Sequence, residues 1–469
     1  MLLTIGLVAH KKQSSSADFI VGNRSLNFWL TALSAHASDM SAWLFMAFPS
    51  AIFIGGISQA WAAFGLVIGM YCNWQFVAEK LRTQTEKYDS YTLSTYFERR
   101  FSDTSGILRI VTAAMSIIFL TSYLSAGLIA MGLLFESLFG IDYYLGLTIA
   151  MVVGMTYTFS GGFITVAWTD LFQAVFLLLM IILVPVVAFA SIPNGIDGIE
   201  QIASIRNIPL NFFPELSGYS ILTVIFLILG WGLGYFGQPH IITKFMGIKS
   251  PSEMYKSKYV GMSWQILALL AAASVGLIGI GYFPQGLENP ELVFTTMVQN
   301  LFTPFFAGII MCAVIAANMS TMDSQILVCA SVLSEDFYKR MVKKQASEKQ
   351  LLIASRISVV LISTVALLLA FNKSATVLEV VFYAWAGLGC AFGPLVLMSL
   401  YSKQTNKYGA IAGIISGGVV AGVWPVLNKY VMTMDVPSMI PGFGISLLSI
   451  YVVSKMTRKV IVLEPRNGG

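Results

Sequence analysis

Thr31 to Trp43 reads TALSAHASDMSAW, in the middle of a segment from Phe28 to Ile57 that is otherwise apolar. Ser34, His36, Ser38, Asp39 and Ser41 interrupt what would be a uniformly oily helix. A carboxylate near the centre of a bilayer costs at least ~2.5 kcal/mol on insertion scales, so a chain keeps one there where it lines a cavity or permeation path. The alternative is a polar group satisfied between packed helices. The rest of the chain bears on which reading holds for Asp39.

With 469 residues, 57% of them hydrophobic and only 11% charged, and a mean hydropathy of +0.77, the chain is an all-α polytopic membrane protein. Cys72, Cys312, Cys329 and Cys390 lie in apolar runs at no repeated spacing, which suggests neither a disulfide framework nor a zinc site. No GxxxxGKS phosphate loop and no HExxH motif occurs, so ATP-driven pumping and metalloprotease chemistry lose their usual signatures, and no transition metal is expected.

Met1 to Ala9 is apolar but short of the ~20 residues that cross a bilayer, and it lacks the basic region and cleavage site of a signal peptide. It reads as a truncated first span, followed by a polar loop to Arg24. Twelve longer apolar segments follow, at roughly 27–57, 58–78, 107–138, 143–161, 163–191, 217–246, 258–283, 301–335, 350–371, 376–402, 407–426 and 436–455, for about thirteen spans in all. Of the 28 Lys and Arg residues, only Arg206, Lys373 and Lys429 fall on one face; the others, including the run from Lys244 to Lys258, fall on the opposite one. That bias predicts a cytoplasmic C-terminus. It also explains the net charge of +5 as topology, with no nucleic-acid partner implied.

A second interrupted span is GWGLGYFGQPH, Gly230 to His240. Glycine costs about 1 kcal/mol and proline about 3 inside a helix, so this run is disposed to break, although glycines also serve close helix packing. The broken spans are numbers two and seven. Five spans apart is the spacing of two inverted repeats whose first helices both unwind at a binding site. A third stretch, AANMSTMDSQ from Ala316 to Gln325, puts Ser320, Thr321, Asp323 and Ser324 within one and a half turns, with Ser320, Asp323 and Ser324 at i, i+3, i+4 expected to share one face. Oxygen donors clustered with free carbonyls suit an alkali ion better than a transition metal, whereas a hydroxyl pair alone is often only back-bonded to its own helix.

At these stretches the sequence resembles the sodium/solute symporter family, and within it the sodium/proline branch. The likeness lies in SDMSAW, GWGLGYFGQPH and MSTMDSQILV, and also in FSGGFITVAWTDLFQ, FYAWAGLGCAFGP and IPGF, in order and over essentially the whole chain. The resemblance implies a leucine-transporter-type five-plus-five inverted repeat with peripheral helices. Residues 1–26 would hold the truncated span and a loop, 27–191 the first repeat, 192–216 an external loop, 217–402 the second repeat, and 403–469 the last two spans and tail.

By the same resemblance, sodium would be held by the carbonyls of Ala37, Met40 and Ala317 and the hydroxyls of Ser320 and Thr321, with Asp39 and Ser41 in support. Substrate would meet Trp231, Tyr235 and Pro239, with Tyr123 at a further position; an apolar ring between aromatic faces, its carboxylate near an unwound helix end, suits a zwitterionic imino acid. Some members bind a second sodium, which would here involve Asp170, Asp323 and Ser324. The branch has glycine where this chain has Ala42, whose methyl could narrow the pocket. The function implied is sodium-coupled import of a small amino acid, L-proline first, by alternating access. The rivals are a symporter for pantothenate, another amino acid or a nucleobase-like ring, coupling to protons in place of sodium, or a membrane sensor. Sodium is the coupling ion; no organic cofactor, no enzymatic step and no obligate protein partner is implied, and a bacterial inner membrane fits.

Overall fold

A computed structural model of the chain describes residues 16–213, 218–373, 376–431 and 434–458; the apolar Met1 to Ala9 segment lies outside them. The described residues form helices joined by short turns, with a single bridge between Leu26 and Ile248. A short α1 (Ser16–Val21) leads to α2 (Phe28–Met40), whose first turn is capped by the Asn27 side chain accepting from Leu30 N at 2.9 Å. After a break come α3 (Ala47–Gly55), α4 (Trp61–Cys72), α5 (Glu79–Lys87) and α6 (Leu93–Arg100), then the long α7 (Ile107–Phe139) and α8 (Tyr143–Ala190), which is interrupted at Gly162. α9 (Gly195–Ile205) precedes the second broken pair, α10 (Gly218–Gly232) and α11 (Pro239–Met246), and α12 (Met254–Tyr282) follows. The chain ends through α13 (Val293–Leu301), α14 (Pro304–Ser331), α15 (Glu348–Ala370), α16 (Val377–Tyr401), α17 (Lys407–Val431) and α18 (Met439–Met456).

Eight described helices are long and apolar enough to cross a membrane, or up to ten if each of two bent pairs counts as one span; Tyr143–Thr156 adds a shorter apolar helix. Their outer faces carry Leu179, Val186, Ile357 and Leu361, all exposed, as lipid-facing positions should be. α2 is the opposite case. It packs against α8, α11, α12 and α14, and every residue from Leu30 to Met40 is buried. The polar residues of the opening stretch therefore sit inside the bundle and not against lipid.

α10 can lie close along α4 because glycines face each other. A Cβ added at Gly69 would stand 2.1 Å from the Gly232 carbonyl oxygen, and one at Gly65 would stand 2.4 Å from that of Ile228. The obstacle is backbone and cannot rotate away. Gly69→Ala is expected to cost about 1–3 kcal/mol of stability by overpacking, seen as a lower thermal-unfolding midpoint of the detergent-solubilised protein; an unchanged midpoint would exclude this contact.

Candidate functional site

The first break falls at Ser41, with φ 40° and ψ −164°. The two helical pieces on either side are bent by 67°. A positive φ is uncommon for a residue with a side chain and needs local compensation. The Ser41 amide supplies it by donating to Thr321 Oγ1 of α14 at 3.0 Å, while Ser41 Oγ accepts from Trp43 N at 3.1 Å. Because the Ser41 amide turns to α14, it no longer closes the helical bond to Ala37. α2 ends at Met40, so its last carbonyls have no amide above them in the helix. Thr321 Oγ1 lies 3.4 Å from the Ala37 carbonyl and 3.5 Å from that of Ala317, both long for hydrogen bonds. Backbone and hydroxyl oxygens from α2 and α14 thus converge on one point, and three of the five residues expected around sodium surround it.

Ser320, one position earlier, turns to α8 and donates to Asp170 Oδ1 at 2.6 Å. Asp170 Oδ2 accepts from Ser34 Oγ at 2.5 Å and Lys244 Nζ at 3.1 Å, with Ser38 Oγ at 3.3 Å. Ser38 Oγ is also 2.8 Å from Ser324 Oγ. Asp323 accepts instead from Thr158 at 3.0 Å. Successive helical residues are 100° apart, so Ser320 and Ser324 share a face from which Asp323 diverges. Asp170 and Ser324, two of the three residues named for a second cation, meet through Ser38. Lys244, counted above among loop charges, is only 1% exposed and ion-paired inside the bundle.

At the second break the helix tightens to a 3-10 turn over Leu233–Gly237, and Gln238 is extended before Pro239 opens α11. Three freed carbonyls each receive a side-chain donor: Trp231 O from Trp385 Nε1 at 2.9 Å, Gly234 O from Gln238 Nε2 at 3.2 Å, and Tyr235 O from Asn73 Nδ2 at 3.0 Å. Such pairing is what lets an unwound segment persist in an apolar interior. The Tyr235 hydroxyl donates to Asp39 Oδ2 at 2.5 Å and accepts from Gln265 Nε2 at 2.9 Å. One hydrogen bond therefore ties the two broken helices together.

Around that link the aromatic rings gather. Trp231 lies 5.1 Å from Trp43 and 5.1 Å from Phe382 between ring centroids, and Tyr235 stands edge-on to Trp385 at 5.1 Å. Tyr123 packs edge-on against His240 at 5.5 Å, one residue beyond Pro239. Tyr123 and Ala42 also line a water-sized cavity of about 10 Å³ with Asn318 and Gln325. A cavity of about 840 Å³ runs from Trp43 and Trp231 to Asn372, Lys429 and Asp435 at the helix ends. The opposite, basic face is crossed by ion pairs. There Arg109 Nε pairs with Asp336 at 2.7 Å and its Nη1 with Glu98 at 3.1 Å, and Arg340 pairs with Glu98 at 3.2 Å. At the edge of that face Arg82 holds the Glu86 carboxyl below the usual range by a direct hydrogen bond.

Trp43, Trp385, Gln238, Asn73, Gln265 and Lys244 are among the site residues that the sequence reading did not single out. Trp43, Trp385 and Gln238 lie in quoted motifs. Asn73 and Gln265 are amides in apolar segments, and the rule that drew attention to Asp39 would have found them.

Two unwound helices meeting inside a helical bundle, beneath a wide cavity on one face and with an ion-paired opposite face, define a membrane transporter of the leucine-transporter type. The same fold is seen in a Na+-coupled sialic acid symporter, with a TM-score of 0.80 at 16% identity, covering 97% of this chain and 95% of that one. It is also seen in a nucleobase-cation-symport-1 family transporter, with a TM-score of 0.60 at 15% identity over 95% and 96% of the chains. The chain belongs to the sodium:solute symporter family, which it matches over residues 19–417. It is 43% identical to the high-affinity proline transporter PutP of Bacillus subtilis, over 97% of this chain and 96% of that protein. It is 41% identical to sodium/proline symporter 2 of Staphylococcus saprophyticus, over 98% and 91%. These relatives are transporters and not enzymes.

Proposed function

We propose that the protein is a sodium-coupled symporter that imports L-proline by alternating access. The observation that carries this reading is the pair of links at the breaks: Thr321 of α14 holds the Ser41 amide, and Tyr235 of the second break holds Asp39 of the first. Sodium bound by the carbonyls of Ala37, Met40 and Ala317 and the hydroxyls of Ser320 and Thr321 would clamp α2 to α14. That clamp orders the break from which Asp39 reaches Tyr235. Ion and substrate then strengthen each other's binding, as linkage requires. Trp43, Trp231 and Tyr235 offer apolar faces to a pyrrolidine ring. Each sodium entering down 100 mV supplies about 2.3 kcal/mol, before its concentration gradient is added.

In this reading the large cavity is the external approach and the basic face is cytoplasmic, with the C-terminus on that side of a plasma membrane. The chain has about thirteen spans counting the truncated first one, and residues 27–191 and 217–402 form the two inverted repeats, each opening with its broken helix. The test is uptake of radiolabelled proline into proteoliposomes under an imposed sodium gradient, with pantothenate, other amino acids and a nucleobase as competitors. Sodium-dependent uptake that is lost in Ser320→Ala and in Thr321→Ala is the expected result. Uptake driven equally well by a proton gradient without sodium overturns the coupling ion, and sodium-driven uptake that pantothenate but not proline inhibits overturns the substrate.

A further inference from the structure

Asp170 and Lys244 are both almost completely buried, 3.1 Å apart, at the centre of a polar cluster in an apolar bundle. The carboxylate is also met by Ser34 at 2.5 Å and Ser320 at 2.6 Å, with Ser38 at 3.3 Å and Ser324 a further 2.8 Å from Ser38. Apart from the ammonium, these donors are oxygens: one carboxylate and four hydroxyls drawn from α2, α8 and α14. That is the donor chemistry of a hard monovalent cation. The position a cation would take against Asp170 Oδ2 is held by Lys244 Nζ, carried on α11, the short helix immediately after the second break.

A buried carboxylate needs a positive partner or must be neutralised. A lysine on the chain meets that need without an ion being captured and released in each cycle. The Ser320 hydrogen is donated to Asp170, so Asp170 fixes the rotamer of a hydroxyl that is also proposed to ligate sodium. An outer partner that fixes the orientation of a ligand in this way tunes its affinity.

We propose that the Lys244 ammonium is a tethered cation occupying the place of a second coupling ion against Asp170, so that transport runs on one sodium per substrate. This rests on the sodium-coupled reading above. Since proline carries no net charge and the lysine and aspartate stay on the chain, one elementary charge moves per proline. Removing the ammonium while keeping its apolar stem, as in Lys244→Met, opens the oxygen cluster to a second sodium.

The experiment compares wild type, Lys244→Met, Lys244→Gln and Lys244→Arg in proteoliposomes, measuring the sodium dependence of proline uptake and the charge moved per proline from the reversal potential. Wild type and Lys244→Arg are expected to give a Hill coefficient for sodium of about 1 and one charge per proline; Lys244→Met and Lys244→Gln are expected to approach 2 in both. A purely structural ion pair predicts lower thermal stability in those two variants with the sodium order unchanged, and that result overturns the proposal. So does wild type moving two charges per proline, a measurement that stands even if the variants do not fold. Wild-type uptake indifferent to sodium would instead refute the symport reading on which the proposal rests.

Discussion

Changing Asp39 to asparagine is expected to raise the sodium concentration for half-maximal uptake by several hundredfold, because a unit charge about 4–5 Å from a cation is worth on the order of 3–4 kcal/mol at an effective dielectric of about 20. Asparagine is nearly the same size, and its amide oxygen can still accept the Tyr235 hydrogen, so the fold should hold. The effect therefore isolates the charge. Tyr235→Phe tests the other end of the same bond: it leaves Asp39 buried without its 2.5 Å donor, a loss of about 1.5–3 kcal/mol for a hydrogen bond to a charged group. Its cost should fall on proline and sodium together, since the bond joins the helix proposed to bind each. Groups in contact rarely act independently. The double variant should thus lose less than the two single losses combined. Sodium dependence unchanged in Asp39→Asn, or full additivity, would separate the two breaks energetically and remove the coupling route.

Much of this site was legible because a membrane interior makes polar residues conspicuous. Asp39 and the serines around it stood out against an apolar background, and the break came at Ser41, within that stretch. The division between segments ending at 161 and starting at 163 matches the interruption of α8 at Gly162. The glycines of the second break posed a choice between unwinding and close packing, and they do both: Gly232 abuts the Gly65 carbonyl, while the turn that follows is unwound. Lys244 shows where sequence falls short. Two residues from the end of an apolar segment, a lysine is indistinguishable by position from the loop charges after it. Only packing reveals that it turns inward to Asp170. Trp385 was hidden for a related reason, since its role as the donor to the Trp231 carbonyl exists only once two helices distant in sequence are adjacent.

The basic face should control which way the transporter opens. Among the described residues Arg109 is the single cation held at once against Asp336 and Glu98, and Asp336 is fully buried. Thr92 and Thr95 also donate to Asp336 at 3.1 Å, which joins α6 to the π-helical continuation of α14 over Val332–Val342. Taking Arg109 away leaves a buried carboxylate without its charge partner, which costs about 3–5 kcal/mol. That penalty applies to the closed arrangement, because opening to water would hydrate both acids. A bias of about 3 kcal/mol moves a two-state population by roughly 100-fold or more. Arg109→Ala is therefore expected to speed labelling of Ser331→Cys by a membrane-impermeant maleimide applied to the basic face, by up to that factor. Ser331 lines the small closed cavity that also contains Thr92, Lys244 and Ser324, and the background would have the four native cysteines replaced. Arg109→Lys should recover only part of the closure, since one ammonium cannot reproduce the guanidinium fork between two carboxylates. Glu98→Gln should do less than Arg109→Ala, because the pair between Arg109 and Asp336 survives it. Equal labelling in wild type and Arg109→Ala would mean that the ion pairs decorate the closed face without holding it. Closure would then fall to the apolar contacts beneath, where Leu327, Val328 and Val332 line the same cavity.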